Sequence, residues 1–274
     1  MLILLPPSET KRDGGEGSSL DLASLRFAAA TSVTATRKRV VSAAVALARH
    51  PAECAKVLKL SPKQMFEVER NRTLLISPTM PAIDRYTGVL FEGLNAATLP
   101  YASRQFLGEH TLIQSALFGP IGGLDLIPAY RLSFDLRLPK LEGSPLKKVW
   151  AASASKAIAD RAGDDLVLDL RSEGYADLAP LLAGANVYYL RVVTRGADGA
   201  VRALNHFNKK GKGEFLRALA IDAAVTSTID SLDGFLSWAA TVGITLELGA
   251  PGTPASGKSA AKPAELNLLV SGIL

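Results

Sequence analysis

Four carboxylates in this 274-residue chain stand where they could do acid–base work: Glu9, Asp125, Asp169 and Glu173. Each lies in or just behind an apolar run and has hydroxyl or basic neighbours. Residues 2–5 (LILL) are followed by Ser8, Glu9, Thr10 and Lys11. Tyr86, Thr87 and Gly88 close the IDRYTG stretch, and the apolar run 111–118 empties into Gly119, Asp125 and Arg131. Residues 165–170 (DLVLDL) are followed by Arg171, Ser172, Glu173 and Tyr175, and residues 201–207 lead into Asn205, His206, Asn208 and Lys209. A carboxylate held in a cleft serves as general acid or base, while lysine and arginine beside it hold an anion. In α/β sheets the ligand crevice lies outside strand ends, because loops converge there. The pattern therefore predicts one mixed acid–base cleft. The alternative is a set of unrelated loops at both sheet edges, with Asp125 as a simple cap.

The densest basic stretch is NKKGKGEFLR, residues 208–217, with Lys209, Lys210, Lys212 and Arg217 against the single acid Glu214. It reads as a glycine-containing loop that opens a helix near Glu214. Backbone N–H groups at a helix start, with lysines beside them, suit phosphate. A solvated basic face is the alternative. His206, Phe207 and Asn208 just before it offer stacking and hydrogen bonds to a base.

Other chemistries lack their motifs. GxSxG, GxGxxG and HExxH are absent, and the basic stretch 206–217 is not a GxxxxGK[ST] loop. One cysteine, Cys54, rules out an internal disulfide, and three scattered histidines argue against a metal site. No cofactor and no metal are expected. A net charge of +5 with a pI near 9.3 permits a polyanionic partner. No apolar run is long enough to span a bilayer, and MLILLPP reads as a strand, not a secretory signal. A cytoplasmic location without membrane contact is the expectation. The string GPIGG at 119–123 also resembles faintly the turn of a helix–hairpin–helix, a reading at odds with a strand over 111–118.

The elements that must carry these residues follow from periodicity. Buried strands are expected at 2–5, 111–118, 165–170 and 187–194, with a hairpin at 195–199 into 201–207. A strand is expected to end near Gly88, and the alternation of 132–138 predicts a half-exposed strand. Helices are expected over 34–59, from Ser61-Pro62 onward with a solvated face of Lys63, Glu67, Glu69, Arg70 and Arg72, and over 94–110, 147–161, 214–224 and 230–242. A final strand covers 244–248. The fold class is a single compact mixed α/β domain over 1–248. Residues 249–274 read as a low-complexity linker, rich in Ala, Gly, Ser, Pro and Lys, and a C-terminal tail, whose apolar residues 265–274 either dock as a strand or stay outside the domain.

Five motifs in this order and spacing carry a resemblance: MLILLPPSETK, DRYTGVL, SALFGPIGGLDLIPAYRLS, LDLRSEGY and HFNKKGKGEFLRALA. Together they resemble the YaaA peroxide-stress-response family in its actinobacterial form. The resemblance implies a distinctive α/β fold with a positively charged cleft and a helix–hairpin–helix-like element. It also implies a cytoplasmic protein that binds DNA, duplex or distorted, and limits free iron under hydrogen peroxide. Carried over by motif, the phosphate-facing residues are Lys11, Tyr86, Thr87, Arg131, Ser172, Tyr175, Asn208, Lys209, Lys210 and Lys212. Many members read SPAKT where this chain reads PPSET, so Glu9 stands where they have a lysine, with Lys11 as the nearby substitute. An enzyme acting on a nucleotide or nucleobase in the same cleft is the alternative function.

Overall fold

A computed structural model describes residues 1–181, 186–196, 201–203, 208–223, 229, 231–252 and 262–270. Ten strands are present among them. They are β1 (Leu2–Leu5), β2 (Met80–Pro81), β3 (Thr111–Ser115), β4 (Gly119–Gly122), β5 (Leu126–Ile127), β6 (Val167–Asp169), β7 (Val187–Arg195), β8 (Val201–Ala203), β9 (Thr245–Leu248) and β10 (Ala264–Leu269). The main sheet runs β4-β3-β1-β6-β7-β10-β9, with β8 paired to β7 and a small separate β2-β5 ladder. Strands β3, β1, β6, β7 and β10 are parallel neighbours, whereas β4, β8 and β9 pair antiparallel. Strand β1 explains its central place: all four residues are apolar and 1% exposed or less, as a strand covered on both faces requires.

The helices are α1 (Thr31–Ala48), α2 (Pro51–Val57), α3 (Phe66–Arg72), α4 (Ala82–Arg85), α5 (Val89–Leu94), α6 (Tyr101–His110), α7 (Leu146–Ala162), α8 (Glu173–Ala176), α9 (Asn208–Ala223) and α10 (Leu232–Thr241). Helix α1 buries Val40, Val41, Ala44, Leu47 and Ala48 on one side. Ser61 precedes a short 3-10 turn with Pro62 at its first position, and Gln64 Oε1 accepts from the Ser61 backbone N–H at 3.0 Å. Buried Trp150 of α7 donates its indole N–H to Ala116 O at 2.9 Å, which ties α7 to the turn after β3. A Cβ at Gly119 would come within 2.4 Å of the same indole, and φ there is +71°, so glycine is required on both counts.

Several expectations change. The run 111–118 is not one strand: β3 ends at Ser115, residues 116–118 turn, and β4 returns antiparallel. Residues 83–91 form α4 and α5 rather than a strand, because buried Arg85 is surrounded by main-chain carbonyls instead of a neighbouring strand. The alternation of 132–138 sends Leu132, Leu136 and Leu138 inward, yet only an isolated bridge at Arg137 forms. The helix over 34–59 is two helices broken at His50-Pro51, and the helix placed at 214–224 starts at Asn208. Residues 197–200 of the expected hairpin turn and 204–207 of the strand after it lie outside the described residues.

The sequence reading closed the domain at Leu248. Ala264–Leu269 is nonetheless a strand of the main sheet, parallel to β7 and antiparallel to β9. Leu266 and Leu268 are buried in the core. Cutting the chain after Gly252 should strip β7 and β9 of their shared partner. The truncated chain should melt well below the parent, with Leu190 and Val192 amides losing protection from hydrogen exchange. An unchanged melting temperature would mean that β10 adds nothing to the sheet.

Candidate functional site

Parallel strands place their carboxyl ends on one edge. Within the sheet, the chain leaving β1 goes next to β3 on one side, while the chain leaving β6 goes to β7 on the other. The connections diverge between β1 and β6, and that is where a crevice opens in an α/β sheet. Two loops face each other across it: residues 6–11 after β1 and residues 170–175 after β6.

Glu9 links them. Its carboxylate accepts a hydrogen bond from the Tyr175 hydroxyl at 3.0 Å and pairs with Arg131 Nη1 at 3.1 Å. Asn71 fixes the backbone of Arg131 from both sides, accepting from its N–H at 2.9 Å and donating to its carbonyl at 2.8 Å. Arg131 Nη1 also donates to Glu9 O at 3.3 Å. The Nε of the same guanidinium is buried and has no hydrogen-bond partner among the described residues.

Lys11 lies beneath. Its ammonium donates to Ser8 O at 3.0 Å and Glu9 O at 3.3 Å, so the loop curls over its own lysine. The Nζ sits 4.1 Å from the centre of the Tyr130 ring and 5.4 Å from that of Tyr86. Burial lowers its pKa from 10.5 to about 7, although Glu9 and Glu67 pull the other way. The two tyrosines continue into a buried hydroxyl chain. Tyr86 Oη and Tyr130 Oη are 2.7 Å apart, and Tyr130 Oη is 2.7 Å from Ser115 Oγ. Ser115 Oγ accepts from the N–H groups of Leu117 and Phe118, at 3.1 and 3.0 Å. Ser115 therefore serves as an acceptor on that side, and the chain ends at the carboxyl end of β3. Burial raises the pKa of Tyr86, Tyr130 and Tyr175 above the ordinary phenol value, so all three stay protonated donors.

At the outer rim three hydroxyls meet. Thr10 Oγ1 is 3.2 Å from Ser8 Oγ and accepts from Thr87 Oγ1 at 2.9 Å. Gly88, with φ of +105°, has its Cα so near Ser8 Oγ that a Cβ would come within 2.8 Å.

The four carboxylates separate. Only Glu9 belongs to the cluster. Asp125 accepts from Gly122 N at 2.9 Å and Arg26 N at 2.6 Å, which closes the turn after β4. Asp169 is buried in an ion pair with Arg171 at 2.7 Å. Glu173 and Ser172 are exposed at the start of α8. Asp125 and Asp169 are structural because the chain needs their oxygens to satisfy buried donors.

The basic stretch also changes character. Residues 208–213 are the first turns of α9, not a loop. Lys212 is 4% exposed and donates to Leu170 O at 3.1 Å, with burial lowering its pKa to about 8. Lys209 and Lys210 are exposed, and Lys210 faces Glu214 at 3.5 Å. The glycines serve packing rather than anion approach. A Cβ on Gly213 would come within 2.0 Å of Leu90 O, and one on Gly93 within 2.8 Å of Lys210 O, so α5 and α9 cross backbone to backbone. His206 and Phe207 lie outside the described residues. In GPIGG, the N–H of Gly122 goes to Asp125 and that of Gly123 to Thr111 O, which leaves neither for a phosphate.

Ser115, Tyr130 and Asn71 were not foreseen. Ser115 and Tyr130 lie in the SALFGPIGGLDLIPAYRLS motif, and their polar atoms inside an apolar stretch were the available signal. Asn71 gave none: it lies on a helix whose charges look solvated, although Glu67 there is only 4% exposed. A cavity of about 310 Å³ is lined by Arg70 and Arg85, but Arg70 is bonded to Asp13 and Lys11 O and Arg85 to main-chain carbonyls. Among the described residues no three His, Cys, Asp or Glu side chains are grouped to hold a metal ion. None of the helices is long and apolar enough to cross a membrane.

Comparison with known proteins adds a family. Residues 1–239 match the family described as peroxide stress protein YaaA. A UPF0246 protein of Corynebacterium glutamicum strain R is 41% identical over 249 residues, covering 90% of this chain and 95% of that protein. A second, from C. glutamicum strain ATCC 13032, is 44% identical over 81% of this chain and 85% of its own. The UPF0246 protein SCO2297 of Streptomyces coelicolor is 37% identical over 80% and 82%.

The depressed pKa of Lys11 has a consequence for stability. Between about pH 7 and 10.5 the unfolded chain still holds a proton that the folded chain has released, so stability rises with pH across that window. Lys11→Met lacks this contribution. Moving from about pH 7 to about pH 9 should stabilise the parent by ~2 kcal/mol more than the variant in chemical denaturation. Parallel pH profiles would show that Lys11 titrates normally.

Proposed function

Since this chain belongs to the peroxide stress protein YaaA family, we propose that it serves the peroxide stress response by binding nucleic-acid phosphate at the carboxyl edge of its sheet. On this reading it limits iron-driven oxidative damage from the nucleic-acid side. The observation that carries the reading is the joining of basic side chains at one edge. Arg131 and Lys11 sit at the crevice between β1 and β6, and α9 is pinned to the same edge through Lys212 and Leu170 O. Lys209 lies one helical turn before Lys212 and is exposed, as is Lys210. Exposed cations at the surface of α9 are the ones able to neutralise phosphate, Lys210 by leaving its 3.5 Å contact with Glu214; the buried Lys212 is a brace. Thr87 adds a hydroxyl at the rim with Thr10, Asn208 begins α9, and Ser172 is exposed at the start of α8.

A second reading, an enzyme acting on a nucleotide or nucleobase, is favoured by one observation: Lys11 is buried against the main-chain oxygens of Ser8 and Glu9, and burial lowers its pKa to about 7. Product analysis after incubation with nucleotides, for the parent and Lys11→Met, tests it.

For the binding reading, each lysine that neutralises a phosphate releases a counterion. The log–log dependence of duplex affinity on salt should carry a slope of about 0.9 per contact. Changing Lys209 and Lys210 together to Ala should weaken binding for all sequences alike and lower the slope by roughly one to two. A double variant with the parent's slope and affinity would reduce the turn to a solvated face.

A further inference from the structure

The cavity of about 310 Å³ is left unused by the phosphate reading. One wall is a single face of α3 and its C-cap: Phe66, Glu69, Arg70 and Thr73 recur three, four and seven residues on. Its two lining arginines are engaged. Arg70 gives Nε and Nη2 to Asp13 Oδ1, at 2.9 and 2.7 Å, and Nη1 to Glu67 at 3.1 Å. Arg85 gives Nε to Ile127 O and Nη2 to Gly14 O and Pro78 O. An oxyanion entering here meets no idle cation.

What stays open is an aromatic face and a set of acceptors. Phe66 keeps 52% of its surface exposed, with the Arg70 guanidinium 4.8 Å from the ring centre. Arg70 engages only Oδ1 of Asp13, so Oδ2 has no partner among the described residues, on a side chain that is 76% exposed. Ser77 Oγ donates its proton to Thr73 O at 3.0 Å and keeps its lone pairs for a donor. A cavity that stacks and accepts but does not donate fits a flat, uncharged ring carrying an amino group. Adenine, cytosine and guanine have that chemistry.

The same helix reaches the crevice. Asn71, beside Arg70, bonds the backbone of Arg131 from both sides, and Arg70 Nη2 donates to Lys11 O at 3.3 Å. Residues 11–13 run from the crevice floor to the cavity rim.

We propose that this cavity takes an amino-bearing nucleobase, unpaired and out of its stack, from a nucleic acid whose phosphate lies at the neighbouring crevice. The proposal rests on the phosphate-binding reading and adds a place where a base is read as well as the backbone. Phosphate contacts carry no sequence information, whereas an acceptor facing a base edge does. In a duplex both faces of a base are covered and its amine is paired, so the base that enters is one already unpaired, for which unstacking costs least. A free nucleoside has the same ring chemistry and does not need the crevice.

The test uses the full chain and five probes: an intact duplex, the same duplex with one unpaired deoxycytidine, with one unpaired deoxyuridine, with one unpaired abasic residue, and free cytidine. The cytosine bulge should bind about tenfold more tightly than the abasic bulge, the scale of one base stacked on an aromatic ring. It should also bind more tightly than the uracil bulge, which has a carbonyl where cytosine has its amine. Phe66→Ala should erase the gain and leave the intact duplex with the parent's affinity and salt slope. Asp13→Asn keeps an oxygen for Arg70 and puts an amide donor where the idle oxygen stood, so it should move the preference from cytosine to uracil. Both residues are exposed, so neither change threatens the fold. Equal binding of the cytosine and abasic bulges with free cytidine unbound, or a preference that survives Phe66→Ala, would overturn the base pocket and leave phosphate binding intact. Equal binding of the cytosine and uracil bulges would overturn the assignment of an amino-bearing base. Free cytidine held through Phe66, with no preference among the duplexes, would keep the pocket for a nucleoside and overturn the strand as its source. Free cytidine held through Phe66, with no duplex bound, would keep the pocket and overturn the phosphate reading. If no probe binds, both fall.

Discussion

Carbonyl oxygens at the ends of short segments are the constraint on which this structure depends. A mainly parallel sheet in which β1, β3 and β6 are only three to five residues long exposes many such ends inside the protein, and each carbonyl needs a donor. The chain answers with buried cations. Arg37 donates to Phe118 O at 2.7 Å and Pro120 O at 3.0 Å. Arg85 reaches the carbonyls of Ile127, Gly14 and Pro78, and Arg171 that of Ala179. Lys11 and Lys212 do the same after β1 and β6. Neutral carbonyls compensate a desolvated cation only in part, so these positions are sensitive to substitution: removing the cation leaves several acceptors unpaired at once.

That constraint shapes the site. Because Lys11 is bonded to Ser8 O and Glu9 O, the main chain at Glu9 is held over the Tyr130 ring and the carboxylate is directed to Arg131 and Tyr175. The hydroxyl chain from Tyr86 through Tyr130 to Ser115 then connects this floor to the end of β3. Its last member accepts two backbone N–H groups, so the relay is anchored in the turn that Arg37 and Trp150 also hold. A crevice built on so many mutually dependent bonds is preorganised, and its geometry depends on residues from five separate stretches.

What could be read from the sequence follows the same logic. Burial was legible: LILL, DLVLDL and the run from Thr111 were placed correctly because apolar composition reports the core directly. Strand pairing was not. Residues 132–138 alternate perfectly and remain irregular, since alternation records which side chains turn inward and says nothing about a neighbouring strand. Residues 83–91 misled in the opposite sense: their apolar and aromatic composition looks like a strand, yet Arg85 among them is the centre of a carbonyl cage. For Ala264–Leu269 the sequence left strand and tail open, because the preceding stretch is too polar to fold while a strand needs only its own few residues to add to a sheet. In the site, Glu9, Lys11, Tyr86, Arg131 and Tyr175 were named from their positions after apolar runs. Asn71 escaped because its role is to bond the backbone of another residue, which leaves no mark in spacing. Lysines free for a ligand and lysines holding the fold look identical in sequence; Lys209 and Lys212 are three residues apart and differ only in what surrounds them.

The departure PPSET from SPAKT acquires a physical meaning in this geometry. A lysine at residue 9 would bring a third cation against Arg131 and Lys11, and the crevice would repel itself at rest. Glutamate there pairs with Arg131 instead, while the amine enters two residues later and folds back beneath the same main chain. Charge at the rim is thus exchanged for charge at the floor. The resting crevice is closer to neutral, with the acid on a half-exposed loop while Asn71 fixes the backbone of Arg131 and burial fixes Tyr175.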